Sequence, residues 1–464
     1  MPLRENMAFR KIFKKYKWDL FLILLILCLA PLFFFKLGQS SLVSWDEAWY
    51  AAIARNIINS GNFLQPIWNG NYFYDHPPAG FWWIATSFKF FGVNNFSARL
   101  PSAIFGLGTL VATYFLGKEL FNRWVGFAAA LALVSAPWFL FRSRSGDLDI
   151  FLTFFFAVST YFAAKSVRNK KYFVPLGISL GLLFLTKTIV PLTIIPALVI
   201  IFWGTSLKWK DYRPGLIAFS AIFLAWFFAQ IITGPTFILR YFKIGLPGIS
   251  VKTQFIKNFY LLRDYIHIGI GKWFWPGVFS IFANLVWRKK SFLVISAFCL
   301  SFFAPFLFSA KTQIWHLIPA YPFFLISLFS FGYYAAHLVT KSKILSGVAI
   351  ILIAVYFSFF QSRSNWYQFI NIPAYISDEE ILSREAGKYS GPLYIDGDFV
   401  PAAVFYSGKD RVEKTYVGGI ADIFDKQPGF LLITTEDRLR DEKISENRYE
   451  ILKSDRDKIL VIKI

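Results

Sequence analysis

Acidic side chains are scarce over most of this chain. The first 360 residues hold ten: Glu5, Asp19, Asp46, Glu47, Asp75, Glu119, Asp147, Asp149, Asp211 and Asp264. Cysteine is scarcer still. Cys28 and Cys299 both lie inside apolar runs, which excludes a disulfide framework and a cysteine-based zinc site. Charged residues make up 17% of the chain, against about 25% in soluble domains. No cleavable leader is evident. The run Leu20–Phe35 is flanked by Lys and Arg but lacks a small-residue cleavage site, so it is expected to stay as a first span. There is no glycine-rich nucleotide loop, no internal repeat and no low-complexity tract.

What is present is apolar and basic. Of 464 residues, 56% are hydrophobic and 20% aromatic, in repeated runs of membrane-spanning length. The net charge of +21 is uneven. Residues 1–360 carry 34 basic side chains against their ten acids, whereas 361–464 carry 15 against 18. That pattern marks cytoplasmic loops of a membrane domain rather than a nucleic-acid surface. Residues 1–18 form a basic cytoplasmic terminus. Eleven spans are expected within 19–360, near Asp19–Leu37, Pro101–Leu116, Trp124–Phe141, Ile150–Ala164, Tyr172–Leu185, Thr188–Trp203, Leu216–Ile232, Trp273–Val286, Phe292–Phe308, Leu317–Val339 and Ile344–Phe360. An outer loop covers 38–97 and a long loop covers Thr233–Gly271. With the N-terminus inside, the strongly basic short loops fall on the cytoplasmic side and six of the ten acids fall outside. The fold class is therefore an all-α polytopic membrane domain with a small extracytoplasmic α/β domain at 361–464. In that domain Leu393–Asp396, Val404–Tyr406, Phe430–Thr434 and Ile459–Ile462 read as strands, and Asp378–Lys388 and Glu436–Lys443 as helices.

The stretch Ser44–Trp83 concentrates rare residues. Ser44-x-x-Glu47 fits a helix capping box. Trp45, Trp49, Ala52, Ile53 and Ile57 then share a face, and Asn59-Ser60-Gly61 supplies a stop. The expectation is an amphipathic helix lying in the membrane interface. Capping accounts for Glu47 but not for Asp46, which shares a flank with Tyr50 and reads as a general base or metal ligand. Asp75-His76 precedes a rigid Pro-Pro step and is expected to place a second acidic arm facing Asp46.

Arg142-Ser143-Arg144-Ser145-Gly146-Asp147-Leu148-Asp149 lies at an outer span end, where basic residues oppose the positive-inside bias. Arg142 and Arg144 are candidates to grip a phosphate, with Asp147 beside them. Lys187, Lys311 and His316 are isolated outer cations, read as an anion site against the plainer alternative of snorkelling. His267 in the long loop is not favoured as a base or ligand.

In this order and spacing the chain resembles the type C glycosyltransferases, in particular the protein O-mannosyltransferases and lipid A aminoarabinose transferases. The residues that carry the resemblance are Asp46-Glu47 with Tyr50, YFYDHPPAGFWW, ARLPSAIFG, SGDLD, FLTKT and HLIPAYP, over about residues 40–340. The resemblance implies an integral-membrane glycosyltransferase of the bacterial plasma membrane. It would move a sugar from a polyprenyl-phosphate donor to a glycolipid, polysaccharide or protein acceptor outside, by inverting single displacement. Membrane lipids are partners and nucleic acid is not. The resemblance also implies Asp46 as catalytic acid/base, Asp75 as the second acidic position, His76 at a position often held by lysine, and Lys187 near the lipid phosphate. Some members bind a divalent metal through a histidine in the long loop; the matching ILRYFKIGLPG has none, so no metal ligand is assigned. The main rival is a transporter or flippase of an anionic lipid, which predicts charges near the bilayer midplane and paired half-repeats. A non-catalytic scaffold is a further rival.

Overall fold

The computed structural model describes residues 2–234, 236–245, 254–309, 312–371, 373–416, 419–427 and 429–464. Each of the eleven apolar runs forms helix, as Leu- and Phe-rich runs must when no water is present to satisfy the backbone. Among the described residues six helices are long and apolar enough to cross a membrane: Asn95–Leu120, Asp149–Arg168, Trp209–Ile232, Lys290–Leu307, Ile314–Thr340 and Lys343–Arg363. The bent pair Arg123–Leu133 and Pro137–Ser143, which turns by 73°, passes the same test taken together, as a broken span or a re-entrant loop. The bend sits at Ala136-Pro137, because proline has no N–H to continue the ladder. The other runs are shorter helices, including Phe173–Phe184 and Phe274–Val286. The chain is thus a multi-pass helical membrane protein.

Close crossings depend on small residues. Asn95–Leu120 packs against Arg123–Leu133 with Gly117 facing Gly126; a Cβ on Gly126 would collide with the Tyr114 carbonyl. The loop expected at Thr233–Gly271 contains two helices, Phe237–Gly245 and Gln254–Ile270.

Two expectations are corrected. The helix Trp49–Ser60 exists and stops at left-handed Gly61, but it does not lie on the membrane. Tyr50 through Ile57 are all buried, packed between Ala79–Phe91 and the C-terminal unit. Of the apolar face that suggested an interfacial helix, Ala52, Ile53 and Ile57 are core, whereas Trp49 is partly buried and Trp45 exposed. Likewise Val404–Tyr406 is not a strand but the middle of the helix Val400–Ser407, which opens at Pro401 and closes at Gly408 with φ +76°. Helix Pro and Gly signals override the β-branched and aromatic composition there.

The C-terminal unit is a five-stranded mixed sheet. After the hairpin β1 (Ile67–Trp68) and β2 (Asn71–Tyr72), the chain forms β3 (Leu393–Ile395), β4 (Val412–Lys414), β5 (Leu431–Thr435), β6 (Tyr449–Asp455) and β7 (Lys458–Lys463). The order is β4-β3-β5-β7-β6, with β3 parallel to β4 and β5 and the β5-β7-β6 pairs antiparallel. Leu432 opposes Val461 and Leu393 opposes Leu431, so apolar residues meet across the sheet. The edge strand β4 is covered by the outer loop: the Asn69 carboxamide accepts from Val412 N–H at 2.8 Å and donates to its carbonyl at 2.9 Å. Arg55 of Trp49–Ser60 donates to the Val404 and Phe405 carbonyls at 2.9 and 3.0 Å, closing the end of Val400–Ser407. Tyr406 accepts from Leu42 N–H at 2.6 Å and donates to Asn95 at 3.0 Å. The small unit therefore grips the segment that carries Asp46.

Candidate active site

Ser44–Ala48 is a single irregular turn, not the first turn of a capped helix. The capping box does not form. Ser44 Oγ accepts from Ala402 N–H at 3.4 Å, and Glu47 Oε2 accepts from Val43 N–H at 2.9 Å. Glu47 is instead the buried partner of Arg99. Arg99 donates to its two oxygens at 2.8 and 2.9 Å, and to the Leu37, Ser40 and Ser41 carbonyls at 3.1, 2.9 and 2.8 Å. All the guanidinium donors are thereby used. Glu47 Oε1 also accepts from Gly146 N–H at 2.9 Å, tying this turn to the loop before Asp147. Burial opposes ionisation of Glu47, but the Arg99 charge and these hydrogen bonds outweigh it and hold the carboxyl below its usual range.

This clamp holds Asp46 in an unusual backbone state, φ +62° and ψ −77°. That is γ-turn geometry of the rare positive-φ kind, which L-residues keep only where the surroundings over-determine it. Asp46 Oδ2 accepts from Arg142 Nη2 at 3.2 Å. Burial, then the charge of Asp147, raises the Asp46 carboxyl, while Arg142 and Lys187 pull it back. Arg142 ends the bent helix pair; its Nε stands 3.4 Å from Asp147 Oδ2, a charge contact without hydrogen-bond alignment. Its guanidinium lies 4.0 Å from the centre of the Trp315 ring.

Asp147 is fully buried. Its Oδ1 accepts from Asp149 N–H at 3.3 Å, whereas Oδ2 has no hydrogen-bond partner among the described residues. Burial pushes its carboxyl up to about 6, against the pull of Arg142. Asp149 opens the helix Asp149–Arg168 and binds Lys187 Nζ at 2.6 Å. Lys187 lies in the break between Phe173–Phe184 and Val190–Ile194, itself buried. A single cluster thus joins Asp46, Arg142, Asp147, Asp149 and Lys187.

Tyr50 borders it, its hydroxyl 3.5 Å from His76 Nε2. Burial and the Asp46 charge keep that phenol well above its ordinary range. His76 Nδ1 is enclosed without a partner; burial, then the charges of Lys187 and His316, bring its pKa down to about 3, so the ring is neutral. His316 accepts from Gln313 N–H at 3.4 Å and faces Phe306. Asp75 is half-buried on the loop before it. Among the carboxylates, the charge of Asp147 acts on Asp46. Arg144 donates to the Leu32 and Phe35 carbonyls at the end of the first helix. Lys311 lies outside the described residues. Sequence reasoning missed the part of Arg99, although a buried cation at an outer span end is the signal that singled out Arg142. It also left Asp149 without a role. Among the described residues no three of His, Cys, Asp and Glu converge as a metal site.

The chain can be set beside known proteins on this geometry. Residues 75–232 match the family model described as dolichyl-phosphate-mannose-protein mannosyltransferase. An uncharacterized Aquifex aeolicus protein is 25% identical over 413 residues, 82% of this chain and 78% of the relative. The undecaprenyl phosphate-alpha-4-amino-4-deoxy-L-arabinose arabinosyl transferase of Pseudomonas savastanoi is 31% identical over 170 residues, 35% of this chain and 32% of its own. The chain spans about a third of the length of that relative. The crystal structure of ArnT from Cupriavidus metallidurans bound to undecaprenyl phosphate superposes with a TM-score of 0.74 at 16% identity, covering 97% of this chain and 98% of ArnT. The apo oligosaccharyltransferase of Archaeoglobus fulgidus gives 0.62 at 12% identity, over 94% and 73%. The fold is that of the type C glycosyltransferases.

Proposed function

We propose that this chain, a member of the type C glycosyltransferase superfamily, moves a sugar from undecaprenyl phosphate to an acceptor hydroxyl at the extracytoplasmic face of the bacterial inner membrane. The N-terminus is cytoplasmic and residues 361–464 are outside. One observation carries the reading: a carboxylate in a strained turn, Asp46, is paired with Arg142 and clustered with Lys187, Asp147 and Asp149 at one end of a helix bundle. A transporter needs charge along its path near the midplane; here the charges gather at the span ends.

Each residue has a task in this reading. Asp46 takes the proton of the incoming hydroxyl as it attacks the anomeric carbon, a contribution of about 10²–10⁴-fold. Lys187 uses one donor on Asp149, and its other two are available to the phosphate. Arg142 is aimed by Asp46, and its unbonded Nε is a second donor to the same group. The bond from the anomeric carbon to the phosphate oxygen breaks as that from the hydroxyl oxygen forms on the opposite face, with inversion. Asp147, Tyr50, His76 and His316 line the sugar side, and Asp75 serves the acceptor side. Lys311 is retained as a basic contact to the donor. The named relatives supply the first donor to try, 4-amino-4-deoxy-L-arabinose on undecaprenyl phosphate. The acceptor is a glycolipid, a polysaccharide or a protein.

The test is donor turnover by the purified protein, offered that aminopentose donor and polyprenyl-phosphate hexoses. Consumption of one donor by wild type and its loss in Asp46→Asn supports the reading. Equal consumption by the variant overturns the assignment of Asp46. Mass spectrometry of envelope glycans from matched cells then identifies the acceptor.

A further inference from the structure

At the end of the bundle away from Asp46, a cavity of about 750 Å³ opens between the start of Arg123–Leu133 and the turn joining Ile314–Thr340 to the last long helix. Its wall presents Arg123, Lys341, Lys343 and His337, with Trp124 and Tyr333 beneath and no acidic residue. Four other cations on this face have anionic partners: Lys118 with Asp19, Lys165 and Arg168 with Glu119, and Lys170 with Asp211. Among the described residues Arg123, Lys341 and Lys343 have no carboxylate partner; Arg123 lies over the Trp18 ring instead. His337 Nδ1 is enclosed without a hydrogen-bond partner.

The turn adds a second, independent observation. Lys341 closes its helix at φ +53° and ψ 6°, donating its N–H to the His337 carbonyl. Glycine is the usual residue in that left-handed position. A lysine there accepts backbone strain and is fixed at the rim of the cavity. The surrounding surface is apolar: Leu338, Val339, Ile344 and Leu345 are all exposed, as side chains facing acyl chains are.

We infer that this cavity binds the phosphate-bearing headgroup of an anionic phospholipid of the cytoplasmic leaflet. Basic pockets between spanning helices on that side suit such headgroups. The leaflet rests on the orientation proposed above; the binding does not depend on sugar transfer.

Native mass spectrometry of the protein extracted from nanodiscs tests it. With discs of equal phosphatidylglycerol and phosphatidylcholine, wild type retains phosphatidylglycerol selectively. Arg123→Gln, Lys341→Gln and Lys343→Gln each lower retention by about fivefold, and a Lys165→Gln/Arg168→Gln control retains it as wild type does. Equal loss in the control, or no loss in the three variants, overturns the site. Millimolar inorganic pyrophosphate leaves the lipid bound; displacement by it would make the ligand a soluble phosphate and overturn the lipid assignment. Lys341→Gly separates binding from folding. It relaxes the left-handed turn, so the lipid-free protein melts at a higher temperature while phosphatidylglycerol retention falls. A variant that melts lower and binds less assigns Lys341 a structural cap and overturns its role.

Discussion

The two ends of the helix bundle use the same residue types in opposite ways. Near Asp46 the cations Arg99, Arg142 and Lys187 are buried, and each meets a buried or mostly enclosed carboxylate. At the other end Arg168 is 78% exposed beside Glu119, while Arg123, Lys341 and Lys343 line an open cavity. A buried pair fixes geometry because removing one partner strands the other charge in a poor dielectric. An exposed pair is screened and fixes little. Position in the fold, not pairing as such, decides which charges organise the protein.

The largest expected effect comes from breaking the buried clamp. Arg99→Ala leaves Glu47 and three carbonyls without their donor, and should destabilise by about 3–5 kcal/mol, read as a lower melting temperature with loss of turnover. Next is Asp46→Asn, expected to lower turnover by about 10²–10⁴-fold while donor binding persists. Lys187→Gln should weaken donor binding by roughly 10–100-fold, as loss of a charge-assisted contact worth about 1.5–3 kcal/mol implies.

A subtler comparison is in pH. His76 titrates near 3 when folded and 6.5 when unfolded, so the unfolded chain binds the extra proton between these values and stability rises with pH across that window. Asp147 does the reverse. Its folded value of about 6 lies above 3.8, the folded state holds the extra proton, and stability falls as pH rises from 3.8 to 6. The two slopes oppose each other in wild type. His76→Gln should leave a melting temperature that falls with pH in that range, and Asp147→Asn one that rises. The smallest effect belongs to the other end: Arg168→Gln should change stability by no more than about 0.5–1 kcal/mol.

Particular residues show how much was legible. Phe- and Leu-rich runs specify helix whatever their neighbours, so all eleven apolar segments could be located in advance; eleven crossings were expected, whereas six helices, or seven with the bent pair, are long and apolar enough among the described residues. Asp46, Arg142, Asp147 and Lys187 stood out because a charge at an outer span end is costly and rare. Trp49–Ser60 was misplaced because an amphipathic stripe looks the same against lipid as against a protein partner. Val404–Tyr406 was misread because three bulky residues fit either period until Pro401 and Gly408 are weighed. Arg144 and Arg142 are equally basic, but two residues on a helix point about 200° apart, which sends one to Asp46 and the other to the first helix.

By itself the amino-acid order determined the apolar runs and the few acidic residues that lie between them, because hydropathy and charge act locally along the chain. Only the tertiary structure decided that Asp147 and Arg142 meet Asp46, that Glu47 serves Arg99 rather than a helix cap, and that the C-terminal unit grips the turn that carries Asp46. Those choices are made by contacts between residues far apart in the chain, where burial turns a charge from a surface ornament into a fixed point of the fold.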